Sequence, residues 1–135
     1  MNNQDVWSDN YKSRQGNIGL GQAIAYYISK GYVVLLPIND TQSYDLAVDK
    51  LDGNGLQRVS VKTTQYQCGS GNYTTLLGNL RRKKDKCFCK YFDNSSVDIV
   101  FVYTISKEMW EINAKDITSK KTITLGENMK KYKIQ

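Results

Sequence analysis

The sequence predicts an α/β domain, and three stretches carry that expectation. A helical apolar repeat runs from Ile18 to Lys30. Two apolar runs, Tyr32–Leu36 and Val97–Tyr103, read as buried strands. Between them, Tyr44–Asp49 and Val59–Thr64 flank a turn, Asp52-Gly53-Asn54-Gly55, which is a hairpin signal. The 135 residues suit a single domain with its own core, with 1–15 a polar N-terminal segment and 16–133 the core.

Taken in order, the N-terminal segment has Trp7 and Tyr11 as its sizeable aromatics. Gly16-Asn17 reads as a loop and helix N-cap. Leu20, Ile24, Tyr27 and Ile28 then fall at i, i+4, i+7 and i+8, one face of a helix. On that helix Gly19 and Ala23 allow close approach to a sheet, and Lys30-Gly31 supplies a C-terminal cation and a left-handed terminator. Tyr32–Leu36 is a strand expected to be buried on both faces, stopped by Pro37. Centring the hairpin turn on Gly53-Asn54 places Asp45 opposite Lys62, Ala47 opposite Ser60 and Leu51 opposite Leu56.

Beyond the hairpin, Gln65–Asn72 is a loop and Tyr73–Leu77 a short strand. Arg81-Arg82-Lys83-Lys84-Asp85-Lys86 is a dense basic run, either a solvated loop or a phosphate contact. Val97–Tyr103 is read as a central strand, paired through a Ser106-Lys107-Glu108 turn with Met109–Ile112. Ala114–Ile117 reads as a helical turn, Thr122–Leu125 as extended chain, and the tail is basic and polar.

Composition narrows the chemistry. A net charge of +6 and a pI near 9.2 suit a polyanionic partner. The chain has no histidine, which excludes Ser-His-Asp and Cys-His catalysis and histidine metal ligation. Cys68, Cys87 and Cys89 are odd in number and lack zinc-site spacing, so free thiols are expected. No apolar run approaches a membrane span, and the polar N-terminus is unlike a signal peptide, so a cytoplasmic protein is expected.

The hairpin register sets Asp45, Ser60 and Lys62 on one sheet face, and two readings fit that arrangement. One is a cross-strand ion pair on the solvent face, worth a few tenths of a kcal/mol. The other is a phosphodiester hydrolysis site, in which the carboxylate holds Mg²⁺ and the lysine stabilises developing charge or helps to deprotonate water.

Beyond these local patterns, the chain resembles a known family. The segments are Gly16-Asn17-Ile18-Gly19-Leu20, Lys30-Gly31-Tyr32, Pro37, Tyr44-Asp45-Leu46, Val61-Lys62-Thr63-Thr64 and Phe92-Asp93-Asn94-Ser95. Thr122–Gly126 and the Lys131-Tyr132-Lys133 tail fit the same pattern. In order and spacing they resemble the PD-(D/E)XK nucleases, and within them the group I intron-encoded homing endonucleases. The resemblance implies a restriction-endonuclease-like αβββαβ core with a central mixed sheet. It also implies Mg²⁺- or Mn²⁺-dependent, sequence-selective cleavage of double-stranded DNA by a homo-oligomer, a dimer or tetramer.

Carried over by position, Asp45 matches the metal-binding aspartate and Lys62 the catalytic lysine. Ser60 stands where the family has Glu, Asp or often Gln, and Leu20 stands near a position where many members carry a helical Glu. The resemblance thus implies a metal held by Asp45, the Val61 carbonyl, the Ser60 hydroxyl and waters, with Gln15, Gln22 and Thr64 as further candidates. Two function classes remain open: an active endonuclease, or a DNA-binding protein of the same fold with weakened or lost catalysis.

Arg81, Arg82, Lys83, Lys84 and Lys86 are the expected DNA contacts. Replacing Arg81, Arg82, Lys83 and Lys84 by alanine lowers the salt slope of duplex binding by about 0.9 for each phosphate that is no longer neutralised. Filter binding or fluorescence titration across a salt series measures this, and an unchanged slope identifies the run as solvated surface.

Overall fold

The computed structural model describes residues 12–39, 41–83 and 86–135, with the backbone alone for residues 12–13, 79–83 and 86–89. The order is α1 (Lys12–Ser29), β1 (Val33–Leu35), β2 (Leu46–Asp49), β3 (Leu56–Thr64), β4 (Thr74–Leu76), β5 (Asn79–Lys83), β6 (Lys86–Lys90), β7 (Ile99–Thr104), β8 (Met109–Asn113) and β9 (Thr122–Thr124). Short 3₁₀ helices follow β8 at Ala114–Asp116 and β9 at Glu127–Tyr132.

A five-stranded mixed sheet is the frame, ordered β1-β2-β3-β7-β8. β7 is an apolar run buried at every position, and it pairs parallel to β3 and antiparallel to β8. A parallel pair needs a long crossover. Among the described residues that crossover contains β4 and an antiparallel β5–β6 ribbon but no helix. The second helix of the expected αβββαβ order is therefore replaced by strand structure, while the mixed-sheet class stands. The basic run accordingly lies on a ribbon rather than in a loop; Lys84 and residues 1–11 lie outside the described residues.

Strand alternation divides the interior into two cores. Leu46, Val48, Val59, Ile99 and Phe101 pack under α1 with Ala23 and Tyr27. Val100, Val102, Trp110 and Ile112 fill the other face with Leu77, Ile123 and Leu125, which the β4–β9 pair brings over the sheet. The expected strand at Tyr73–Leu77, the extended Thr122–Leu125 and the helical turn after β8 all form.

Helix α1 departs from its expected face. Gln15, Gly19, Ala23 and Tyr27, spaced by four, are buried, whereas Ile28 is 58% exposed. The described helix already includes Lys12, so Gly16 and Asn17 lie inside it rather than capping it. Close approach explains the rotation: a Cβ on Gly19 would sit 1.9 Å from Thr63 Oγ1 on β3, so only the glycine side of the helix can press against the sheet. The C-terminus follows expectation, with Gly31 at φ +78 and the Tyr32 N–H donating to the Tyr27 carbonyl at 3.1 Å.

β1 corrects a second expectation. Its apolar run suggests burial on both faces, but it is the sheet edge, and Val33 is 49% exposed. Pro37 follows it closely, as edge strands allow.

Gly19→Ala is expected to lower stability by about 1–3 kcal/mol through overpacking. Adding Thr63→Ala, which removes the clashing hydroxyl, restores part of the loss. Urea denaturation of the three variants measures it, and a neutral Gly19→Ala would show that helix and sheet are not in close contact.

Candidate active site

The β2–β3 hairpin positions the central residues. Its register pairs Leu46 with Val59 and Asp49 with Leu56, two residues away from the register expected with Gly53-Asn54 at the turn centre. The connection is wider because aspartates fold it locally. Asp49 Oδ1 accepts the Leu51 N–H at 2.8 Å, and Asp52 Oδ1 accepts the Asn54 N–H at 3.0 Å. Leu51 takes φ 59, a left-handed residue ahead of the glycines. A slip of two keeps every side chain on its expected face. Asp45, Ser60 and Lys62 therefore still share a face, although Asp45 is not directly opposite Lys62.

Asp45 lies just ahead of β2 and is held from both ends. Its N–H donates to the Val59 carbonyl at 2.8 Å, and its Oδ2 accepts the Val61 N–H at 2.7 Å. The Val61 backbone thus links the carboxylate to the two residues flanking Val61. The other carboxylate oxygen, Oδ1, accepts no hydrogen bond from a described residue.

Ser60 and Lys62 line a cleft of about 580 Å³ on the sheet face away from α1. Ser60 is buried and its hydroxyl bonds to no described residue. Lys62 is half-buried, and loss of water pushes its pKa below the ordinary lysine value. The negative charge of Asp45 opposes part of that shift, which places carboxylate and ammonium in one electrostatic site.

The remaining expected residues fall elsewhere. Leu20 packs in the helix-side core, Gln22 is exposed on α1, and Gln15 is buried on the sheet-facing side of that helix. All three belong to α1, across the sheet from the cleft. Thr64 is buried and donates to the Thr74 carbonyl at 2.6 Å, tying β3 to β4. The backbones of Arg81, Arg82, Lys83 and Lys86 lie on the β5–β6 ribbon, whose base reaches the cleft through Gly78 and Lys90. Cys68 is a half-buried free thiol.

Asp93 also lines the cleft, although no local pattern marks it as a site residue. Hydrogen bonds from the Ser95 hydroxyl and N–H to its Oδ1 hold its carboxyl below the usual aspartate range. The Asp-Asn-Ser-Ser turn is visible in the sequence, but its place beside Ser60 and Lys62 follows from the crossover.

A carboxylate fixed by a backbone N–H, a buried hydroxyl and a partly desolvated ammonium thus share one sheet face, and the two oxygen groups are of the type that a hard cation takes. The class follows from comparison with known proteins. The family model of the PD-(D/E)XK endonucleases matches residues 11–134, and the chain belongs to that family of DNA endonucleases. Among solved structures, the bacterial homing endonuclease I-Ssp6803I superposes with a TM-score of 0.77. It is 23% identical, and the match covers 88% of this chain and 86% of that one, a likeness of fold. No curated protein matches.

Because its folded pKa is lowered, Lys62 binds its proton less tightly folded than unfolded. Raising the pH through the window between those two values therefore stabilises the fold. In an NMR titration of ¹³Cε-labelled lysine, Lys62 is expected to deprotonate at lower pH than the exposed lysines, and Asp45→Asn to move it lower still. A Lys62 that titrates with the surface lysines would place its ammonium in open water.

Proposed function

We propose that this endonuclease is a Mg²⁺-dependent, sequence-selective homing endonuclease that hydrolyses double-stranded DNA as a cytoplasmic homo-oligomer, a dimer or tetramer. The observation that carries this reading is the Asp45–Val61 hydrogen bond, which fixes the carboxylate against the strand segment that presents Ser60 and Lys62 to the cleft. The donor set fits a hard divalent cation: Asp45 Oδ1, Ser60 Oγ and the Val61 carbonyl would hold it, with waters. When bound, such a cation supplies Lewis acidity and an activated water.

The chain's own residues do the rest. Lys62 places a positive charge where the phosphate gains negative charge in the transition state, and partial burial strengthens that interaction. Lys90 adds a second cation to the same cleft, favouring entry of the phosphodiester. The basic β5–β6 ribbon rises from the cleft edge and suits contact with the duplex on either side of the cut. The exposed edge strand β1 suits pairing between copies. Among the described residues no helix is long and apolar enough to cross a membrane.

A second reading keeps the DNA and weakens the catalysis. It is favoured by Ser60 at the acidic position of the family motif and by Leu20 in the core.

Plasmid cleavage with Mg²⁺, Mn²⁺ or EDTA separates the two. Asp45→Asn and Lys62→Ala are each expected to lower the rate about 10²-fold or more while duplex binding stays near wild type. Ser60→Ala is expected to do much less, since water can replace a neutral hydroxyl. Metal-independent binding with no cleavage of any DNA, including the gene flanking the coding sequence, would favour the second reading.

A further inference from the structure

β2 and β3 bring one carboxylate to the site, that of Asp45, because a neutral serine precedes Val61-Lys62 and α1 carries Leu20 in the core. Protein sites for magnesium commonly use one or two carboxylates together with water. The cleft lined by Ser60 and Lys62 has a carboxylate of its own, Asp93, in the loop after β6.

We propose that Asp93 is a catalytic residue, the second carboxylate of the site, supplied by the crossover loop where β3 has a serine. It is directed at the cation held by Asp45, directly or through a bound water. The proposal rests on the endonuclease reading and extends it.

Three observations carry it. Asp93 is held in place but not used up: Oδ1 accepts the Ser95 N–H at 2.9 Å and the Ser95 hydroxyl at 2.7 Å, while Oδ2 accepts nothing from a described residue. Lys62 and Lys90 line the same cleft, yet neither forms an ion pair with it. The loops bearing the two carboxylates are also bonded to each other. Ser96 donates its hydroxyl to the Asp93 carbonyl at 2.6 Å, and Ser43, two residues before Asp45, donates to the Ser96 carbonyl at 3.2 Å. On its far side the loop is anchored by Asn94, whose amide donates to the Ile117 carbonyl at 3.1 Å.

The sign of the charge points the same way. A bare carboxylate in the wall of a cleft that receives a phosphodiester repels its substrate. A divalent cation between the two anions reverses that interaction. An unpaired Asp93 among cleft cations therefore makes sense as part of a metal-dependent site.

The test is Mn²⁺ binding without DNA, by calorimetry and electron paramagnetic resonance, with cleavage assayed in parallel. Asp93→Asn retains the Oδ1 that Ser95 bonds, so the turn and melting temperature are expected to be unchanged. Mn²⁺ affinity is expected to fall about 10- to 100-fold, the loss seen when a ligating or ligand-orienting carboxylate is removed. Ser60→Asp, added to Asp93→Asn, is expected to recover part of it. Asp93→Glu keeps the charge and most of the affinity; if it loses as much as Asp93→Asn, the turn rather than the charge mattered and the proposal fails. If Asp93→Asn binds Mn²⁺ and cleaves like wild type while Asp45→Asn does neither, the inference falls and the endonuclease reading stands. If wild type neither binds Mn²⁺ nor cleaves, both fall.

Discussion

The hydrogen bond from the Val61 N–H to Asp45 Oδ2 joins the two strands of the site, and it exists because β2 starts where it does. The β2 ladder begins at Leu46, so farther along β3 the Val61 N–H meets a side chain rather than another β2 carbonyl. The Asp45 carboxylate accepts that N–H at 2.7 Å in a charge-assisted bond. That bond also restrains rotation of the carboxylate, so a local backbone contact sets its orientation.

β3 can serve this site because it is packed on both faces and paired along both edges. Val59 and Val61 face α1, while Ser60 and Lys62 alternate with them and face the cleft. Hydrogen bonds to β2 and to β7 fix the strand laterally. The Gly19–Thr63 contact brings α1 down on one side, and the Thr64–Thr74 hydrogen bond draws β4 over the other. Polar residues are tolerated on the second face because the cover of β4, β9 and the crossover loop leaves a gap beside Ser60 and Lys62. That gap is the cleft.

Electrostatics gives the cleft its character within a basic chain. Several acidic groups elsewhere are paired with cations: Glu111 with Lys50 at 2.7 Å, Glu108 with Lys133 at 2.5 Å, and Asp98 with Arg58 at 3.2 Å. The Arg58–Asp98 pair lies between β3 and the approach to β7, where it helps to hold the end of the crossover loop against the sheet. Asp45 and Asp93, like Asp49 and Asp52, form no ion pair with a described residue and are bonded by backbone N–H groups, Asp93 also by a hydroxyl, while the charge of Lys62 interacts with Asp45. The Ser95 donors hold the Asp93 carboxyl below the usual aspartate range without adding a positive charge beside it.

Sequence alone determined the features that depend on neighbours along the chain. Alternation set Asp45, Ser60 and Lys62 on one face, and this survived a register shift of two because side chains repeat every second residue. Gly31 ended the helix, the Val97–Tyr103 run became the interior strand β7, and Gly19 met the sheet. Tertiary structure decided what depends on distant partners. The choice of helix face turned on Thr63 of another element, so the larger residue Ile28 was left exposed while Gly19 and Ala23 were buried. Val33 became an edge residue because no further strand among the described residues lies beyond β1, which an apolar run cannot reveal. The place of Asp93 beside Lys62 required a crossover that returns the chain parallel to β3, and no local pattern in Asp93-Asn94-Ser95-Ser96 encodes that return. Periodicity is a property of adjacent residues and can be read from them; which face is covered, and which loop closes over a strand, is settled by packing between parts of the chain far apart in sequence.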